Sequence, residues 1–220
     1  MKLAGLKINF LGDSITEAHG ASSTNMAFHQ VLKKNAGLAE ARNYGIGGTR
    51  IARQRTPSQN ERWDLYFIPR VAEMAPDADA IVVFGGTNDF GHGDAPLGTF
   101  DDRTPDTFYG ACHLLMTALL ERYPESRIVF MTPLHRLNED RPTADGAPSA
   151  VPTDHLETYV NAITEVAAYY ALPVLDLFRC SGIQPNVPII REMYCPDGLH
   201  PNDRGHALLA SLLQGFLEKL

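Results

Sequence analysis

Short apolar runs alternate with longer stretches of helical periodicity along the chain. Residues 7–11 read as a first strand that ends at Gly12-Asp13-Ser14. Residues 26–38 read as a helix, and 42–46 as a second strand followed by Gly47-Gly48. The stretch 63–74 is amphipathic. Residues 80–84, Ala-Ile-Val-Val-Phe, form a nearly continuous β-rich run of the kind buried on both faces. Phe108, Cys112, Leu115, Leu119 and Tyr123 recur at helical spacing. Residues 128–131 give a fourth strand. Leu156, Tyr159, Val160, Ile163, Ala167 and Tyr170 mark another helix, and 174–178 a fifth strand. A last helix carries Leu208, Leu209, Leu212, Leu213, Phe216 and Leu220 on its apolar side.

Five rounds of strand and helix predict a parallel sheet covered on both faces. No linker divides the chain, so residues 1–220 read as a single domain. One long stretch, 134–154, lacks any period and is rich in Pro, Asp and Ala. It leaves the carboxyl end of a strand, where open α/β sheets bind ligands, and so reads as either a surface excursion or a wall or lid over a site.

Composition narrows the function classes. The formal net charge of −7 argues against a nucleic-acid partner. No apolar run is long enough for a membrane span, and the first residues lack the layout of a signal peptide. Three cysteines, Cys112, Cys180 and Cys195, fit no disulfide framework, and Cys112 falls on the apolar face of a helix. Cytoplasmic residence is the expectation. Self-association is left open.

Four segments carry candidate chemistry: Gly12-Asp13-Ser14, the Asn43 to Thr49 stretch with its Gly47-Gly48 pair, Gly86-Thr87-Asn88-Asp89, and Asp197-Gly198-Leu199-His200. A serine hydroxyl needs a base in hydrogen-bond reach, and the base needs an orienting acceptor. Histidine is the natural base near neutral pH. Ser14 lies at a strand end. Asp197 and His200, three apart, can pair through one ring nitrogen and leave the other for Ser14. Acyl transfer also needs donors for an oxyanion, which the Ser14 N–H, the Gly48 N–H and the Asn88 amide can supply. Each segment alone also reads as a turn or a cap. Asp13, Thr49, Arg50 and Thr87 flank these groups and are the candidate substrate contacts.

These residues resemble the SGNH (GDSL) hydrolase superfamily. Ser14 matches its nucleophile, Gly48 and Asn88 its oxyanion donors, and Asp197 and His200 its Asp-x-x-His pair. The resemblance implies an α/β fold, a flavodoxin-like three-layer α/β/α sandwich with a five-stranded parallel sheet. It also implies esterase, lipase, thioesterase or carbohydrate deacetylase chemistry on a small-molecule ester, with no cofactor. The leading expectation is a short-acyl esterase, with an O-acetylated sugar as its candidate substrate. A longer-chain thioesterase or lysophospholipase, an acyltransferase and a non-catalytic carbohydrate-binding protein are the alternatives. Asp89, His92 and Asp94 look superficially metal-like, but their spacing fits no well-known site, and no metal is expected. Arg50, Arg53, Arg55 and Arg62 read first as a solvated, charge-balanced loop, and otherwise as a means of recognising an anionic group near the site. The chain has no Gly-x-Ser-x-Gly elbow, which sets aside the α/β-hydrolase alternative.

Overall fold

The computed structural model describes residues 1–140 and 155–220. Five strands form one parallel sheet: β1 (Lys7–Gly12), β2 (Glu40–Gly45), β3 (Ala80–Phe84), β4 (Arg127–Met131) and β5 (Val174–Leu175). The order across the sheet is β2-β1-β3-β4-β5. Among the described residues nine α-helices accompany them: α1 (Ser14–Glu17), α2 (Phe28–Ala36), α3 (Phe67–Arg70), α4 (Thr87–His92), α5 (Phe108–Arg122), α6 (Leu156–Tyr169), α7 (Leu177–Cys180), α8 (Pro188–Tyr194) and α9 (Asp203–Lys219).

Alternation along the central strands splits the interior into two layers. Ile8 and Phe10 of β1, with Val82 and Phe84 of β3, pack against Phe28 and Leu32 of α2 and Leu209 and Leu213 of α9. Leu11, Ile81, Val83 and Phe130 face the other way, against Leu115 and Leu119 of α5 and Tyr159 and Ile163 of α6. The all-apolar β3 is buried along its whole length because both faces are covered. This is the α/β/α sandwich expected from the pattern. The order in which strands are added reverses between the parallel neighbours β1 and β3, which opens a crevice at their carboxyl ends. The α1 turn follows β1 directly and α4 follows β3 directly, so both land at that crevice.

Three expected elements differ. The helix over 26–38 becomes a 3-10 turn, Thr24–Met26, followed by α2. The break falls at Ala27, where the chain is extended, and the Phe28 N–H goes to His206 Nδ1 on α9. The amphipathic stretch 63–74 becomes three short pieces around α3, because Tyr66 is extended and the Phe67 N–H goes to the Arg50 carbonyl. In both places a tertiary hydrogen bond takes the N–H that a longer helix would have used. The fifth strand stops at Leu175, because Asp176 caps α7 by accepting from the Arg179 N–H. Cys112 is buried, as its position on α5 predicted. Among the described residues no helix is long and apolar enough to cross a membrane.

Candidate active site

The nucleophile turn begins at Gly12. A Cβ there would come within 2.6 Å of the Thr16 side chain and 2.8 Å of the Phe84 carbonyl, so only glycine lets β1 turn this tightly into α1. Asp13 caps the turn, its carboxylate accepting from the Ile15 N–H at 3.0 Å. Ser14 is the first residue of α1, where helical N–H groups lack an intrahelical partner. Its hydroxyl donates to His200 Nε2 over 3.0 Å.

The other His200 nitrogen, Nδ1, lies 2.7 Å from Asp197 Oδ2. Asp197 Oδ1 accepts from the backbone N–H groups of Leu199 and His200 at 2.9 and 2.7 Å. The Asp-x-x-His spacing thus folds into a self-bracing turn. Partial burial pushes the Asp197 carboxyl up, but the His200 bond and the two backbone donors outweigh it and bring it down to about 2. Asp197 therefore stays ionised at neutral pH and holds the Nδ1 proton, which leaves Nε2 as the acceptor for Ser14.

Gly48 and Asn88 line the same cleft as Ser14 and His200, a space of about 410 Å³. The neighbouring Gly47 N–H is committed to Glu17 Oε2 at 2.6 Å. No acceptor takes the Gly48 N–H among the described residues, which separates the two glycines. Gly48 has φ +78°, and a Cβ there would overlap the Trp63 indole. Asn88 donates one amide hydrogen to the Thr49 carbonyl at 2.9 Å, which orients the group and leaves its second hydrogen. A serine, a histidine base, an ionised aspartate and convergent donors suit attack on a carbonyl carbon.

The model of the GDSL-like lipase/acylhydrolase family matches residues 10–208. The chain belongs to this family. A structure from Lactobacillus plantarum is 31% identical, covers 99% of the chain and 98% of its own, and superposes with a TM-score of 0.83. A lipase/acylhydrolase from Enterococcus faecalis, 21% identical with 97% and 96% coverage, gives 0.66. A two-domain esterase active on acetylated mannans, 22% identical, covers 99% of the chain and 49% of its own, with a TM-score of 0.63. Among curated proteins no sequence matches. Membership places the chain among enzymes that hydrolyse esters.

In this GDSL-family hydrolase the flanking candidates are engaged internally. Thr49 donates to the Ile46 carbonyl and accepts from Arg70. Thr87 receives Arg136 Nη1 at both its hydroxyl and its carbonyl, each 3.1 Å away. Asp13 is buried at its cap. Arg50 departs most from expectation: it is 1% exposed rather than solvated. Ser58, Asp64, His92 and the Trp63 carbonyl supply the acceptors that make its burial tolerable. Arg53 and Arg62 do sit at the surface, paired with Asp106 and Glu17. Asp89 accepts from the Ile51 and Ala52 N–H groups, and Asp94 from those of Arg55 and Thr56, so both carboxylates serve as anchors for the loop after Gly48. Burial pushes the Asp89 carboxyl up to about 6. Of the stretch 134–154, residues 141–154 lie outside the described residues. Its first part runs beneath the site, where the Leu137 N–H donates to the Gly198 carbonyl at 2.9 Å.

Sequence reading missed Glu17, His19 and Trp63 and set Arg62 and His92 aside, and all five line or brace the cleft. Glu17 sits three residues after Ser14, one helical turn on, and that spacing was a usable signal. It also missed three buried supports. Arg70, 5% exposed, donates to the carbonyls of Gly12 and Tyr44 and to the Thr49 hydroxyl. His29 and His206 lie behind α1. Their Nδ1 atoms accept from Gln30 and the Phe28 N–H, so each Nε2–H donates outward, to the Thr16 and His19 carbonyls respectively.

Arg70→Met should destabilise the fold by about 1–3 kcal/mol in urea denaturation, because it strips the donor from buried acceptors at the ends of β1 and β2. Burial lowers His29 to about 4, below its ordinary 6.5. The unfolded chain therefore takes the proton first, and stability is lost as pH falls from 6.5 toward 4. His29→Gln removes that titration. Its Tm deficit against the wild type should be largest near pH 8 and shrink toward pH 4; a deficit independent of pH would contradict this assignment.

Proposed function

We propose that the protein is a serine ester hydrolase for short, acetyl-type acyl groups that works through an acyl–Ser14 intermediate. The observation that carries this reading is the 3.0 Å contact of Ser14 Oγ with His200 Nε2, backed by Asp197, in the cleft that Gly48 and Asn88 also line. His200 takes the Ser14 proton as Oγ bonds to the ester carbonyl carbon. The carbonyl electron pair moves onto oxygen, where the N–H groups of Ser14 and Gly48 and the Asn88 amide receive it. The imidazolium, held by Asp197, passes its proton to the leaving oxygen as the C–O bond breaks and the alcohol departs. Water then enters, gives a proton to His200 and attacks the acyl-enzyme. Collapse releases the acid and returns the proton to Ser14.

Two features support a small acyl group on a polar alcohol. Among the described residues, Trp63 and Leu199 are the only large apolar side chains lining the cleft, which offers no apolar channel for a long chain. His19, Asn60, Arg62 and His92 supply polar groups around the rest of it. An O-acetylated carbohydrate fits that lining, and the structural neighbour active on acetylated mannans uses the same fold. A thioesterase or lysophospholipase would need more apolar wall than these residues provide.

Ser14→Ala should lower kcat on an aryl acetate by about 10⁴–10⁶ while circular dichroism stays unchanged. Retention of more than a tenth of the activity would sink the mechanism. Asn88→Ala should lower kcat by about 10²–10³ with KM little changed, since the amide acts on charge that develops after binding.

A further inference from the structure

The leaving oxygen of an ester must reach His200 Nε2, the atom that gives it a proton. That places the alcohol half on the His200 side of the cleft. The His19 ring stands on this side, 5.5 Å from the His200 ring. A Cβ on Gly47 would lie 3.4 Å from His19, so Gly47 borders the same side. Trp63 stands against Gly48, the next residue along from Gly47, with the His92 ring 4.9 Å from its own, and both line the cleft. The acyl half extends away from the leaving group and so meets that pair.

This wall is braced from within. One buried guanidinium, that of Arg50, holds both of its members. Its Nη2 donates to the Trp63 carbonyl at 3.3 Å, to Asp64 Oδ1 at 2.9 Å and to Ser58 Oγ at 2.7 Å. Its Nη1 donates to His92 Nδ1 at 2.7 Å and to the His92 carbonyl at 3.2 Å. The indole edge lies against Gly48 so closely that no side chain fits at that position. From outside, Arg62 pairs with Glu17, which also holds the Gly47 N–H. The Trp63 backbone is therefore anchored by Arg50 and its ring lies against Gly48 and His92, with the residue 36% exposed. A ring held this way cannot swing aside cheaply for a longer chain.

We propose that Trp63, seated on Gly48 and His92 by the buried Arg50, is the residue that limits acyl length. The inference rests on the acyl-hydrolase reading above and adds to it the side chain that sets the limit. Arg50 acts here as a positioning residue.

The test is a series of aryl esters from acetate to octanoate, with kcat/KM measured for the wild type, Trp63→Ala, Trp63→Phe and His92→Ala. The wild type should fall steeply beyond propionate. Trp63→Ala should raise the butyrate-to-acetate ratio by about tenfold, the worth of two methylenes given new room. His92→Ala should shift the ratio in the same direction, and Trp63→Phe should keep a profile near the wild type's. Because the readout is a ratio within each variant, a general loss of activity does not affect it. Variants that lower every ester by one common factor, with the profile unchanged, would overturn the wall while leaving the acyl-hydrolase reading intact. A wild type that hydrolyses octanoate as fast as acetate would overturn both the wall and the short-acyl reading. A wild type inert toward every ester would sink the function itself, and the wall with it.

Discussion

The Arg70 guanidinium joins three stretches of backbone that no local rule brings together. It donates to the carbonyls of Gly12 and Tyr44, at the ends of adjacent strands, and to the Thr49 hydroxyl just beyond Gly48. The turn that carries Ser14, the proposed nucleophile, starts at the first of these stretches, and the loop that carries Gly48, a proposed oxyanion donor, follows the second. Burial drives this guanidinium down to about 10, yet it remains charged at neutral pH, with Asp13 the strongest of the opposing acidic charges. A charge placed there is tolerable only with its acceptors in position, so the relative placement of Ser14 and Gly48 is coupled to satisfying it.

The same device recurs around the cleft. Arg50 ties the loop at 58–64 to the end of α4, and Arg136 ties the start of α4 to the chain leaving β4. Asp89, from the middle of α4, takes two N–H groups of the loop after Gly48. Each bond ties α4, or the loop after Gly48, to another loop rather than to the sheet. The proposed donors are therefore held in place by the fold itself, which is what electrostatic stabilisation of a developing oxyanion requires. Two neutral histidines extend the bracing: His29 meets the Thr16 carbonyl of α1, and His206 the His19 carbonyl just beyond that helix.

Much of this was legible along the chain. The strands β1, β3 and β4 and the helices α5, α6 and α9 carry unbroken periodicity over enough residues to declare themselves, because both layers bury them against one sheet. The Gly-Asp-Ser turn and the Asp-x-x-His turn were legible for a different reason: their hydrogen bonds are local. Asp13 reaches Ile15, and Asp197 reaches Leu199 and His200, so the spacing itself encodes the geometry. The breaks at Ala27 and Tyr66 were not legible, since the bonds that cause them come from α9 and from Arg50.

By itself the sequence determined the α/β/α layering, the strand-end position of Ser14 and the pairing of Asp197 with His200. Periodicity and short-range hydrogen bonding depend on neighbours in the chain, and those are written in order. Only the tertiary structure decided that Gly47 spends its N–H on Glu17 while Gly48 faces the cleft. Only it turned Arg50 from an expected surface charge into a buried clamp on Trp63 and His92. A charged side chain's role depends on which acceptors the fold brings to it, and here they come from positions 8 to 42 residues away.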